Sequence, residues 1–262
     1  MNRSYVDIII PIYGAGEHLR KCLKTLFLST KVPFDLWLID DRSPGHEIAD
    51  IFSQISGWGD RRIHLLKNQE NIGFGPSNNK AADCGKAPYI LFLNSDTEAH
   101  RSFLELMLLN FLSPDVGAVG AKLIFTDNPD YGSPGTVQHC GVARNGNGSP
   151  YHIFHGKAAE DLIVNVRREI NCVTGACLLT PRELFQEVGG FNPIFRIGAF
   201  EDVDYCWSIR EKGYKVIYEP LAVLGHYFAG SGFKKTHALS GKNKVILLEK
   251  WGNLGSDEHL FR

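Results

Sequence analysis

Several carboxylates and one histidine leave apolar runs at positions where side chains can meet a ligand. Asp96 follows Leu91-Phe92-Leu93-Asn94-Ser95, so it emerges from a buried strand where a carboxylate can meet a hard divalent ion. Mg²⁺ and Mn²⁺ take one or two protein carboxylates and fill the remaining positions with phosphate oxygens and water. The same residue also suits a turn or helix cap before Thr97-Glu98. Asp40-Asp41, followed by Arg42-Ser43, offer acceptors for a base and a ribose, or an Asx turn through Ser43-Pro44-Gly45. Glu201-Asp202, with Asp204 close behind, open a helix, where the macrodipole favours acids. A positioned carboxylate there also suits a general base that deprotonates a hydroxyl nucleophile. His226 ends a strand before Tyr227-Phe228, as a structural histidine, a metal ligand or a donor to a phosphate. Lys234, Lys235 and His237 follow Gly230-Ser231-Gly232, either as a solvated basic loop or as a lid over a diphosphate.

The elements that must position these residues alternate short apolar runs with amphipathic stretches, the pattern of a βαβ sheet covered by helices. Strands are expected at Val6 to Ile10, Phe34 to Ile39, Ile63 to Leu66 and Tyr89 to Leu93, with helices at Glu17 to Ser29, His46 to Ile55 and Gly75 to Gly85. Three of these strands end on polar text: Pro11-Ile12-Tyr13, Asp40-Asp41 and Asn94-Ser95-Asp96. Ligands of open α/β sheets bind beyond the carboxyl ends of the strands. Ser102 with Glu105 predicts a capping box ahead of Leu106 to Leu112. Thr180-Pro181-Arg182-Glu183 predicts a second, with proline at the first helical position.

Asparagine, glycine and proline crowd Thr126 to Ser149, which marks a seam of loop or irregular hairpin. A strand is expected over Asn171 to Thr180, a helix from Glu201 to Gly213, and strands at Lys215 to Tyr218 and Ala222 to Leu224. The chain ends in an amphipathic helix from about Ser240 to Trp251, suited to the core, a partner or a membrane surface.

The 262 residues are 44% hydrophobic, enough to bury a full core. Lys and Arg number 28 against 29 Asp and Glu, for a formal charge of -1, so no overall field draws nucleic acid. The six cysteines form no C-x-x-C pair and no zinc-like spacing, and are expected to be reduced. Met1 to Tyr5 is polar, and no apolar run approaches the roughly 20 residues of a bilayer span. A cytoplasmic protein is expected, with peripheral contact at the inner membrane face left open and the oligomeric state unread.

The order of these segments resembles the family 2 glycosyltransferases of the GT-A fold. The text that carries the resemblance is Val6 to Tyr13, Leu38-Ile39-Asp40-Asp41-Arg42-Ser43, Asn68 to Gly73, Leu91 to Thr97, Thr174 to Leu179, Val188-Gly189-Gly190-Phe191, Phe200 to Asp204, Arg210, Gly213-Tyr214 and His226. It covers roughly residues 5 to 230 and is most similar to bacterial rhamnosyltransferase-type members that build surface polysaccharide.

The resemblance implies an α/β GT-A domain in which a single Rossmann-like nucleotide-binding sheet is fused to a smaller acceptor-side mixed sheet. Residues 1–125 would form the nucleotide-sugar half, 126–230 the acceptor and catalytic half, and 231–262 a lid loop and terminal helix. Pro11, Tyr13, Asp40, Asp41, Asn71, Gly73, Asn94, Ser95, Asp96 and Gly175 would hold the donor. The implied donor is a dTDP- or UDP-sugar, bound with Mg²⁺ or Mn²⁺. Asn94 stands at the first position of the family's Asp-x-Asp motif, so Asp96 and His226 would share the metal with the donor phosphates. Asp202 would be the catalytic base beside Glu201, in an inverting transfer to a hydroxyl of a glycan or lipid-linked saccharide. A sugar nucleotidyltransferase is the competing enzyme, but it needs a basic glycine-rich loop where Gly14-Ala15-Gly16-Glu17 is acidic. No G-x-G-x-x-G follows the first strand for a nicotinamide dehydrogenase. A non-catalytic sugar-nucleotide-binding or scaffold domain is the reading outside enzymology.

Overall fold

A computed structural model describes residues 4–126, 130–227, 233–252, 254, 256 and 257, with the side chains of the last helix described from residue 240. The chain runs β1 (Val6–Ile12), α1 (Gly16–Ser29), β2 (Phe34–Asp40), α2 (Glu47–Ser56), β3 (Ile63–Lys67), α3 (Phe74–Cys84) and β4 (Tyr89–Leu93). Next come β5 (Thr97–Ala99), α4 (Phe103–Leu109), β6 (Val116–Phe125), β7 (Val137–His139), β8 (Val142–Arg144), β9 (Pro150–His152) and β10 (Arg168–Ile170). β11 (Cys177–Pro181), α5 (Arg182–Glu187), α6 (Glu201–Glu211), β12 (Lys215–His226) and α7 (Phe233–Trp251) complete it.

One mixed sheet in the order β10-β12-β6-β11-β4-β1-β2-β3 joins the two halves, with β5 on β12 and β7 on β6. β4, β1, β2 and β3 are mutually parallel, and β11 is the antiparallel seam between β4 and β6. Alternate residues of β1 face opposite layers: Ile8 and Ile10 meet α1, α2 and α4, whereas Ile9 joins the layer of α3, α5 and α6. That two-sided burial is why the parallel strands read as unbroken apolar runs.

The apolar runs and amphipathic helices of the first half form within a residue or two of their expected bounds. Elsewhere tertiary packing overrides local signals. Ser102 makes no side-chain cap, and Glu105 Oε1 instead accepts from Thr30 Oγ1 (3.0 Å) and the Lys31 amide (2.7 Å), tying α4 to the end of α1. Thr180 is likewise no cap: its hydroxyl lies 2.7 Å from the Gly117 carbonyl and 2.6 Å from the Tyr205 hydroxyl, and Pro181 closes β11. The strand expected over Asn171 to Thr180 is regular only from Cys177, and the two strands around Pro220 are one, with a register shift between Glu219 and Val223.

β6 is a central strand with no counterpart in the sequence reading, because Gly117 and Gly120 dilute its apolar pattern. Both are demanded by packing, since a Cβ on Gly120 would lie 2.3 Å from Val173 Cβ and one on Gly117 2.8 Å from Leu184 Cδ2. The terminal helix docks on the core, with Leu247 fully buried and Trp251 edge-on to Trp207.

Asp7 is buried at the foot of β1, where it accepts from Trp37 Nε1 (3.0 Å), the Ala87 amide (2.8 Å) and Arg182 Nη2. Arg182 also donates to the carbonyls of Ala87 and Ala82. Truncation of Asp7 strands a buried guanidinium, which typically costs about 3–5 kcal/mol. Asp7→Ala is therefore expected to lower the urea midpoint sharply, and the double replacement Asp7→Leu/Arg182→Met to recover most of that loss. A double variant less stable than Asp7→Ala would contradict this assignment.

Candidate active site

The carboxyl ends of β1, β2 and β4 open onto a cleft of about 550 Å³. It is lined by Pro11, Tyr13, Asp41, Asn71 and the run Asn94-Ser95-Asp96, together with Gly175, Glu201, Asp202 and His226.

Two residues expected at the donor lie behind the wall. Asp40 is buried, with Oδ1 accepting from the Ser43 amide (2.8 Å) and Oδ2 3.8 Å from Lys67 Nζ. Gly73 donates to Asp41 Oδ2 (2.8 Å) and has a φ of +91°, and a Cβ there would lie 2.7 Å from Ile197 Cα. Asp41 Oδ1 also accepts from Asn68 Nδ2 (2.8 Å) and the Ile72 amide (2.9 Å). The Asn68 to Gly73 turn is thereby fixed against the loop before α6, where the Phe74 amide donates to the Ile197 carbonyl (3.0 Å).

Pairing of β5 with β12 places His226 opposite Thr97 and brings its ring to Asp96. His226 Nε2 lies 3.0 Å from Asp96 Oδ1 and 3.4 Å from Asn94 Nδ2. His226 Nδ1 lies 2.6 Å from Gln138 Oε1, so the amide oxygen accepts a proton held on Nδ1. In the neutral ring this turns the Nε2 lone pair toward a carboxylate, an arrangement that a cation between the two stabilises. Asp96 and His226 therefore fit a divalent ion that draws its other ligands from a diphosphate. Among the described residues no group of three or more His, Cys, Asp or Glu gathers as a metal site. Gln138 has no signal of its own in the sequence, since it reaches the histidine only because β7 pairs with β6.

Asp202, in the first turn of α6, accepts from the Gly175 amide at Oδ2 (2.8 Å) and the Val203 amide at Oδ1 (2.8 Å). Burial raises its carboxyl above the ordinary range, against the lowering pull of these amides and the Thr174 hydroxyl. Glu201 is more enclosed: burial first, and the charge of Asp202 second, hold its carboxyl well above the ordinary range. Its Oε2 is buried without a partner among the described residues. Both carboxyls are thus raised, Glu201 by burial with no amide donor from Gly175 or Val203 to offset it and Asp202 against the pull of those two amides.

The loop entering α6 is held in an unusual shape. Ile197, Ala199 and Phe200 have φ values of 67°, 83° and 75°, a region that costs non-glycine residues energy unless the surroundings impose it. Asn243 of α7 imposes it by donating to the carbonyls of Arg196 (3.3 Å), Gly198 (3.0 Å) and Ala199 (3.2 Å). Asp204 faces away from the cleft and anchors the same helix, accepting from Lys250 Nζ and Trp251 Nε1, each at 2.7 Å. The sequence reading missed Asn243, whereas the irregular hairpin expected near Thr126 to Ser149 forms as β8–β9, and its Tyr151 and His152, within the stretch Asp127 to His155 expected to supply acceptor contacts, line the cleft. The basic lid expected at Gly230-Ser231-Gly232, Lys234, Lys235 and His237 lies outside the described residues and side chains.

Known proteins share this architecture. The GalNAc-T7 crystal structure with UDP, GalNAc and Mn²⁺ superposes with a TM-score of 0.74 at 15% identity, over 97% of this chain and 49% of that one. The O-antigen biosynthesis protein RfbC of Myxococcus xanthus is 30% identical over 234 residues, which is 86% of this chain and 17% of that protein. The N-acetylglucosaminyl-diphospho-decaprenol L-rhamnosyltransferase of Mycobacterium tuberculosis is 25% identical over 245 residues, 86% of this chain and 77% of that protein. The chain spans a quarter or less of the length of the first curated relatives it matches. The Glycosyl transferase family 2 model matches residues 7–189, across the strand ends, the Asp41 turn, Asp96 and Gly175. With the GT-A fold around that cleft, the chain belongs to glycosyl transferase family 2.

Proposed function

We propose that this chain is an inverting glycosyltransferase domain that moves a sugar from a nucleotide-diphosphate donor to a hydroxyl of a glycan or lipid-linked saccharide. One observation carries the reading: a cation-ready pair, Asp96 and His226, and a basic carboxylate, Asp202, meet in one cleft at the strand ends. Residues 1–125 supply the donor side and 126–230 the acceptor side, with the terminal helix packed on the core. Pro11, Tyr13, Asp41, Asn71, Asn94 and Ser95 face the donor from the wall, and Asp40 and Gly73 act behind it by holding the Ser43 and Asp41 turns.

Asp202 accepts the proton of the acceptor hydroxyl as its oxygen attacks the anomeric carbon, and the bond to the departing diphosphate breaks. A single displacement of this kind inverts the anomeric centre. The Gly175 and Val203 amides hold the carboxylate in place, so little reorganisation accompanies the attack. Asp96 and His226 would hold a Mg²⁺ or Mn²⁺, which when bound would supply charge neutralisation at the diphosphate. A dTDP- or UDP-sugar donor and a lipid-linked or glycan acceptor in bacterial surface polysaccharide synthesis are the proposed substrates, in keeping with relatives named for O-antigen biosynthesis and for L-rhamnosyl transfer to N-acetylglucosaminyl-diphospho-decaprenol.

A panel of sugar nucleotides with Mn²⁺, read by thermal shift, tests the reading. The right donor at saturation should raise the melting temperature by roughly 5 °C or more, because ligand at a hundred times its Kd adds about 2.7 kcal/mol. Slow release of nucleotide diphosphate should accompany that shift. A panel without any stabilising donor would overturn the proposal, whereas binding with neither hydrolysis nor transfer would favour the scaffold.

A further inference from the structure

Beside Asp202 runs a chain of hydrogen bonds that the transfer reaction leaves unexplained. The Thr174 amide, next to the Gly175 amide that holds Asp202, donates to His139 Nε2 at 3.3 Å. His139 is almost fully buried on β7, and its Nδ1 lies 2.9 Å from Nδ1 of His152 on β9. A backbone amide can only donate, so His139 Nε2 is an acceptor and the ring's proton sits on Nδ1. That proton is donated to His152 Nδ1, and the proton of the second ring is therefore on its Nε2.

The network also excludes charge. A proton added to His139 would set an N–H against the Thr174 amide, and one added to His152 would set two N–H groups against each other. Burial first, and the neighbouring histidines second, push His139 well below its ordinary range and lower His152 to about 4. The ring that lines the cleft is thus held in one tautomer, with Nδ1 committed and Nε2–H left for a ligand.

We propose that His152 is a specificity-determining contact of the acceptor site, a neutral ring that can only donate and that binds an oxygen of the acceptor saccharide through Nε2–H. The inference rests on the transferase reading for the identity of the ligand, but not for the ring tautomer. His152 stands on the acceptor side, on the β8–β9 hairpin, and the Thr174-Gly175 backbone couples its orientation to that of the base. Acceptor oxygen and Asp202 are thereby registered from one short segment of chain.

Two measurements on the whole protein test this. Ring nitrogen shifts at neutral pH should show His152 as the neutral Nε2–H form and His139 as the neutral Nδ1–H form. A charged ring or the opposite tautomer at position 152 would overturn the proposal. In transfer to a set of p-nitrophenyl glycosides, His152→Phe should raise the acceptor KM roughly five- to tenfold, the size of one lost hydrogen bond. Donor affinity should stay within about twofold, and His152→Gln, whose amide can still donate, should recover most of the acceptor KM. An unchanged KM in the Phe variant, or a Gln variant no better than Phe, would count against it. Donor cleavage without transfer to any of these sugars would remove a saccharide as the ligand. If no sugar nucleotide binds while the tautomers are as stated, the transferase reading fails and the ring assignment stands.

Discussion

Replacement of Asp202 by asparagine is expected to lower turnover by roughly 10²–10⁴-fold, the usual contribution of a general base. Donor affinity should change little, because the proposed cation and diphosphate contacts are Asp96 and His226, not Asp202. The substitution keeps the shape of the side chain but removes the charge proposed to receive the hydroxyl proton. One cost is structural: the two carboxylate oxygens accept from Gly175 and Val203, and an amide nitrogen cannot accept from either. A modest fall in melting temperature is therefore expected, and turnover should be compared at a temperature where both proteins are folded. The pH profile supplies an independent reading. Burial places the Asp202 pKa above the ordinary carboxylate value of 3.8, so protonation disables the base as the pH falls through that raised value. Turnover in the native protein should show this acid limb, and Asp202→Asn should lack it. Lost donor binding with unchanged turnover per bound donor would show that Asp202 is not the base.

The same physics explains which parts of the molecule could be read from the sequence. Strands buried on both faces must be continuously apolar, so β1, β2 and β4 announced themselves, and the polar text after each marked the cleft. β6 is equally buried, yet two of its positions are glycines that make room for Val173, Leu184 and Tyr214, so its signal was lost to contacts that only the fold defines. The capping boxes at Ser102 and Thr180 failed for a related reason: Glu105 and Thr180 found stronger partners far away in the chain. At the site, Asp96, Asp202 and His226 stood out because each ends or starts an element. Gln138 and Asn243 did not, since each acts through a neighbour brought by strand pairing or helix docking, and His152 reaches the cleft through the pairing of β9 with β8. Asp41 shows a different limit. Adjacent to Asp40 and identical in type, it reached the cleft wall because the Asn68 to Gly73 turn closes over its carboxylate, while Asp40 was drawn inward by Ser43.

Asp96→Ala is expected to weaken donor binding at least roughly tenfold to a hundredfold, the range that even outer-shell losses reach at metal sites. Coordination number drives the size of this effect. With Asn94 in place of a second carboxylate, and with no larger cluster among the described residues, the protein would contribute two groups to the proposed cation, and losing one would halve its share. The remaining affinity would come from phosphate oxygens, which bring charge but no fixed position. EDTA should therefore lower donor affinity in the native protein to about the level of Asp96→Ala and lower the variant little further, because two perturbations of one interaction are not additive. Isothermal titration of the donor with Mn²⁺ or with EDTA, on both proteins, gives the four affinities this requires. Equal native affinity in the two buffers would rule out a metal-bridged donor. Additive losses from chelation and mutation would place the cation elsewhere and leave Asp96 as a partner of His226 alone. Asp202→Asn provides the internal contrast: its donor affinity should respond to EDTA as the native protein's does, since the proposed base is not a proposed ligand of the cation.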